Sequence, residues 1–351
     1  MQWSETEMPG KKLVTRVRGS RILGGILVAA LLFFCNCGAG ETEDNGAALE
    51  NTVKNAPPYY QLNPEPPGEV PVVFAPGIIS TGHHEHSAPA ISPDGTEIYW
   101  SVWEKPAPPD PVQQIWFVRL QDSVWSKPET ASFSGVYSDG GPYFSADGKK
   151  LFFYSLRPLE GEGGAADNNN IWFVTRDETG WKEPESIGPA INDDQLQAMP
   201  ALARNGNLYF LNHLEDVENE YGISRAVSEN GGYHGTEFLP TQVNSPYRDW
   251  CPYISPGEDY LIFSSHRPGG FGSGDLYISF HLEDGNWSEA VNLGEPINTP
   301  SQERFPMISP DGKVFFFGRA TEEAYGDIFW VKADFIEGLR EDYLSKSARV
   351  Q

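Results

Sequence analysis

One short module recurs five times along the 351-residue chain, and that period limits the fold more than any other feature of the sequence. The copies are His86-Ser-Ala-Pro-Ala-Ile-Ser-Pro-Asp-Gly95, Asp139-Gly-Gly-Pro-Tyr-Phe-Ser-Ala-Asp-Gly148, Gln197-Ala-Met-Pro-Ala-Leu-Ala-Arg-Asn-Gly206, Asp249-Trp-Cys-Pro-Tyr-Ile-Ser-Pro-Gly-Glu258 and Glu303-Arg-Phe-Pro-Met-Ile-Ser-Pro-Asp-Gly312. With the central prolines in register (Pro89, Pro142, Pro200, Pro252, Pro306), the spacings are 53, 58, 52 and 54 residues. A near-constant period of this size means one supersecondary unit, repeated because a single unit cannot bury its own faces.

Each copy carries four strand signals. An apolar stretch follows the central proline, then an Asp-Gly or Asn-Gly turn in four of the five copies, a strong hairpin signal. The second strand reads Glu97-Ile-Tyr-Trp, Leu151-Phe-Phe-Tyr, Leu208-Tyr-Phe-Leu, Leu261-Ile-Phe-Ser and Val314-Phe-Phe-Phe. The third begins at Ile115, Ile171, Ile223, Leu276 and Ile328. A fourth follows Trp125, Trp181, Tyr233 and Trp287 in copies one to four. Copy five lacks it and runs instead into a short helical pattern from Phe335. The missing strand lies at the other end: residues 70–81 match residues 289–299 in pattern. An N-terminal strand that completes the last unit closes a ring and covers its final edge. The expectation is an all-β fold, a five-bladed β-propeller of four-stranded antiparallel blades over residues 69–334, with a C-terminal helix and tail over 335–351.

Ser-Pro-Asp-Gly at 92–95 and 309–312, Ser264-Ser-His-Arg-Pro-Gly-Gly-Phe-Gly-Ser-Gly-Asp-Leu-Tyr277, Gly326-Asp-Ile-Phe329 and Asp284-Gly-Asn-Trp-Ser-Glu289 resemble the TolB-like (WD-like) β-propeller repeat of bacterial envelope proteins. The resemblance covers residues 70–331, with copy three the most divergent. It implies the propeller architecture and, for function, a binding or scaffolding module in the envelope, periplasmic or lipid-anchored. Fold alone does not assign an activity.

Ahead of the repeats, Lys11, Lys12, Arg16, Arg18 and Arg21 precede the apolar run Ile22–Phe34, a basic segment followed by a hydrophobic one in the manner of an export signal. The run is shorter than the 20 or so apolar residues usual for a membrane span. Cys35 and Cys37 follow it, and the arrangement resembles a bacterial lipoprotein cleavage box, so residues 1–37 are expected to direct export and Cys35 or Cys37 to carry lipid. Residues 38–68 are polar, rich in Gly, Glu, Asn and Pro, and read as a tether. Net charge is −24 at pH 7, a surface that repels phosphate backbones and excludes nucleic acid as a partner. The third cysteine, Cys251, stands alone in the repeats beside Pro252 and reads as a small buried hydrophobe.

Propeller topology sorts the loops. Tight hairpin turns fall on one face, which therefore offers little to a ligand. The long links 104–114, 158–170, 213–221, 267–274 and 319–326 fall on the other, where a rigid scaffold usually carries function. Three residues before each central proline stands a polar column, His86, Asp139, Gln197, Asp249 and Glu303, expected to ring the channel mouth on the long-link face. Arg157 and Arg267, at the start of two links, are placed to pair with the acids. Three readings follow. The acids brace neighbouring blades; or they hold a basic ligand or a calcium ion, the only cofactor the pattern suggests; or they catalyse hydrolysis or elimination, as in a five-bladed glycosidase or polysaccharide lyase. No metal motif is present: His83-His-Glu-His86 lacks zinc-site spacing. The reading favoured by the residues is a monomeric, exported, membrane-tethered propeller that binds a protein, peptide or glycan in the cell envelope.

Overall fold

The computed structural model describes residues 56–347 except 105–111, 160–165, 194, 214–220 and 321–325. The export segment, Cys35, Cys37, most of the tether, and parts of four of the five long links lie outside the described residues.

Five antiparallel sheets follow one another as blades 1 to 5. Blade 2 is typical: Asp139–Phe144, Lys150–Ser155, Asn170–Asp177 and Glu185–Ser186 pair in sequence order. Blades 3 and 4 repeat this from Gln197–Leu202 and Asp249–Ile254. In blade 5 the first three strands are Gln302–Ile308, Val314–Ala320 and Asp327–Lys332, and the fourth is Val72–Val73, which pairs with Trp330 and Phe329. The N-terminal strand therefore closes the ring. Behind it Phe74, Ala75 and Ile79 are buried with Phe316, Ile328 and Trp330, so closure is secured by side chains more than by two residues of ladder. The C-terminal helix, Phe335–Ser347, caps blades 4 and 5 through Ile336, Phe335 against Phe315 and Tyr343 against Phe280.

The proline column has a mechanical cause. In blades 2 to 5 the ladder slips within the first strand, between Gly140 and Tyr143, Ala198 and Ala201, Trp250 and Tyr253, and Arg304 and Met307. The residue before each proline is left-handed there: Gly141, Met199, Cys251 and Phe305 have φ of 57°, 56°, 50° and 54°. A bulge leaves one residue without a ladder partner, which is where a residue lacking an N–H fits. The bulges point at the axis, where Pro142, Met199, Pro200, Cys251, Pro252, Phe305 and Pro306 narrow the channel to a cavity of about 40 Å³. Cys251 is buried there with Sγ 3.2 Å from Met199 Sδ, and burial pushes its thiol up to about 12, in keeping with a packing role.

The turns between first and second strands are as the sequence implies. Ser92, Ser145 and Ser309 each donate to the Asp two residues on, and Gly95, Gly148, Gly206 and Gly312 take positive φ. In blade 4, where Glu258 replaces glycine, Glu258 itself adopts φ 60°.

Candidate functional site

The acid column is buried and committed to its own blades. Asp139, Asp249 and Glu303 have no exposed surface. Arg157 forms an ion pair with Asp139 and also donates to the Phe133 carbonyl. Arg267 Nη2 lies 2.9 Å from Asp249 Oδ1 and 2.8 Å from the Val243 carbonyl. Arg319, which the sequence pattern did not single out, places Nε 2.8 Å from Glu303 Oε1 and Nη2 2.8 Å from the Ile297 carbonyl. In each case the guanidinium bridges the carboxylate to a carbonyl six residues upstream. Hydroxyls complete the shells: Ser134 and Ser155 on Asp139, Ser245 on Asp249, Thr299 on Glu303. Burial outweighs these partners at Asp139 and Glu303 and lifts both carboxyls above their ordinary values. In blade 3 the position is neutral, with Gln197 Nε2 donating to Asn212 Oδ1 at 3.2 Å and to Asp193 Oδ1 at 2.7 Å.

The same residues tie blade to blade. The backbone N–H groups of Asp139, Gln197 and Glu303 donate to the carbonyls of Gln113, Asn169 and Gly274, which end the preceding blade's long link. Five residues before the column positions of blades 3, 4 and 5 stands a second repeated group, unnoticed in the sequence: Asn192, Asn244 and Asn298 bond both the N–H and the C=O of Ile171, Ile223 and Leu276. A side-chain amide there imitates one more residue of outer strand.

In blade 1 the column residue is Glu85, not His86. Glu85 N–H donates to the Gly326 carbonyl, Glu85 pairs with Val102 as Glu303 pairs with Arg319, and Ser80, five residues earlier, bonds Ile328 as the asparagines do elsewhere. One more residue separates the column from the proline here, because the first strand breaks into His84–Glu85 and Ala90–Ile91 rather than taking the left-handed bulge. Counting back three from Pro89 therefore lands one residue late. His86 instead turns toward the axis, 5.0 Å from the rings of His84 and Phe305, with Nδ1 3.1 Å from Gln113 Nε2. Burial, Arg304 and His84 hold its imidazole well below the usual histidine value.

Around the mouth stand Arg248 over the Trp250 ring at 4.7 Å, Trp250 against His266 and Phe305, and Arg304 Nη2 2.9 Å from His84 Nε2. The expected ring of carboxylates facing a ligand is thus replaced by aromatic and basic groups, with the acids turned back into their blades. Among the described residues no group of three or more His, Cys, Asp or Glu comes together to hold a metal ion.

The hairpin-turn face is less barren than its tight turns imply. A cavity of about 220 Å³ opens at the axis there, lined by Tyr143, Leu202, Tyr253 and Met307, and a groove of about 740 Å³ runs between blades 2 and 3 past Lys149, Lys150, Phe173 and Arg204. The chain also enters the propeller on this face: Tyr59 donates to Asp311 in the blade 5 turn at 3.1 Å, and Pro58 lies beside Gly95 in the blade 1 turn.

A closed ring of four-stranded antiparallel blades defines the chain as a five-bladed β-propeller. No protein-family model and no curated protein matches it. Solved structures do. A putative TolB from Agrobacterium tumefaciens is 18% identical over 67% of this chain and 70% of its own, with a TM-score of 0.44. TolB from Acinetobacter baumannii is 15% identical over 72% of this chain, with a TM-score of 0.44, and the match spans about half (55%) of that protein. A glycoside hydrolase is 11% identical over 82% of this chain and 95% of its own, with a TM-score of 0.49. At such identities the likeness is one of fold. Among the described residues no helix is long and apolar enough to cross a membrane.

Proposed function

We propose that the chain is an exported β-propeller, tethered to a membrane through its N-terminal segment, that binds a protein, peptide or glycan of the cell envelope on its long-link face. The observation that carries this reading is the make-up of the channel mouth. Pro58 and Tyr59 already cover part of the hairpin-turn face by docking on the turns of blades 1 and 5. The opposite face carries the Arg, His and Trp groups of the mouth. Asp139, Asp249 and Glu303 favour binding over turnover because each is matched to an arginine of its own blade, and catalytic carboxylates must reach a reacting bond.

Affinity capture from envelope fractions with the full-length protein tests the proposal, with Trp250→Ala as the control. Capture that depends on Trp250 supports it. Hydrolysis or cleavage of an envelope glycan that disappears in Asp139→Asn, Asp249→Asn or Glu303→Gln alone, with the fold intact, overturns it in favour of an enzyme.

A further inference from the structure

Four blades settle the column position internally: Asp139, Asp249 and Glu303 each take an arginine, and Gln197 takes Asn212. Blade 1 does not. Val102 stands where blade 5 has Arg319, and Glu104 stands where blades 2 and 4 have Arg157 and Arg267. Glu85 is nevertheless an acid and only 1% exposed. Its Oε1 accepts from Thr81 N–H at 3.1 Å and Thr81 Oγ1 at 2.7 Å, as Glu303 accepts from Thr299. Its Oε2 is buried and finds no hydrogen-bond partner among the described residues. A buried carboxylate oxygen left bare is costly.

The rest of the arginine's setting is retained. Arg319 lies 5.2 Å over Phe317 and 4.6 Å over Phe329, and Arg267 lies 5.3 Å over Phe263 and 5.0 Å over Tyr277, each pair facing one another across the second and third strands. The corresponding pair in blade 1 is Trp100 and Trp116, and tryptophan is the best cation–π partner. The carbonyl six residues upstream belongs to Ile79. Asp327 adds a second negative charge close enough to act on Glu85.

We infer that this position on the long-link face, formed by Glu85, the Ile79 carbonyl, Trp100 and Trp116, receives a guanidinium from outside the chain: an arginine side chain of a bound protein or peptide. The three internal arginines show the geometry such a group adopts; the side chain of Arg319, 13% exposed, reaches the surface at the equivalent place in blade 5, and in blade 1 Glu104 and Trp116 are half-buried at the outer side of the position. The inference rests on the binding reading above and narrows its partner to one that presents an arginine.

The test is titration of the full-length protein with N-acetyl-arginine amide, with N-acetyl-citrulline amide as the neutral isostere, followed by chemical-shift or thermal-shift measurement. The wild type is expected to bind the arginine probe in preference to citrulline. Glu85→Gln should weaken it roughly tenfold to a hundredfold, the range for losing a charged hydrogen-bond partner. Val102→Arg, which supplies the guanidinium from within as blade 5 does, should abolish binding and raise the melting temperature; Glu104→Arg is the alternative should that variant fold poorly. Equal affinity for both probes, or an arginine affinity unchanged in Glu85→Gln, overturns the inference. A protein that captures an envelope partner yet ignores the arginine probe loses this site but keeps the binding reading. One that takes the probe through Glu85 yet captures nothing keeps the site and loses that reading.

Discussion

Replacing Phe74 by alanine tests whether the N-terminal stretch holds the ring closed. Phe74 is fully buried, its ring 5.0 Å from Phe316 and 5.2 Å from Trp330, and its N–H donates to the Ile328 carbonyl at 2.8 Å. Truncating a buried phenylalanine costs about 3–5 kcal/mol, and the packed aromatic pairs place this site toward the upper part of that range. Val72 is the control: it sits in the same strand and pairs with Trp330, but its side chain is 47% exposed. Its alanine variant should cost no more than roughly 0.5 kcal/mol. Urea unfolding followed by tryptophan fluorescence measures both. Closure by this strand requires that the Phe74→Ala midpoint fall while the transition stays single with an unchanged slope, because an opened ring destabilises every blade together. A loss below about 1 kcal/mol, or a separate early transition confined to part of the signal, would refute the closure argument.

Asp139→Asn should cost about 3–5 kcal/mol by leaving Arg157 buried without its counter-charge, whereas the double variant Asp139→Leu/Arg157→Met should cost much less; equal losses in thermal melts would contradict the bracing role. Burial pushes Glu85 up to about 7 from 4.5, so the folded state holds this proton more tightly than the unfolded chain does. Stability should therefore decline as pH rises from about 4.5 through 7, by up to roughly 3 kcal/mol for this group. Asp139 and Glu303 shift in the same direction, so the measure is the difference between wild type and Glu85→Gln across that window, and a difference that stays flat would remove the claim. Changing both Cys35 and Cys37 to serine should release the protein from membrane fractions; retention on the membrane would point to an uncleaved anchor.

The repeats make the architecture legible in the sequence itself. Period, hairpin turns and complementary ends are local patterns, and each maps to one strand or turn whatever lies beside it. The arginines at 157 and 267 were legible for the same reason, because they share one place in one repeat. Register across the blade was not. Counting from Pro89 gives His86, but the column is set by hydrogen bonds to the preceding blade, and blade 1 spends one more residue between the two. Arg319 escaped notice because blade 5 puts its guanidinium at the position facing the acid rather than two residues beyond. The direction of the acids also belonged to the tertiary structure. Alternation along a strand says that Asp139, Asp249 and Glu303 share a side, while only the bulge at the next residues decides whether that side faces the channel or the blade. Sequence by itself therefore determined which residues are equivalent, since equivalence is written in spacing. Tertiary structure decided which of them are already satisfied, since a carboxylate's partner is a matter of distance: among the described residues three acids found arginines within their own blades, and Glu85 did not.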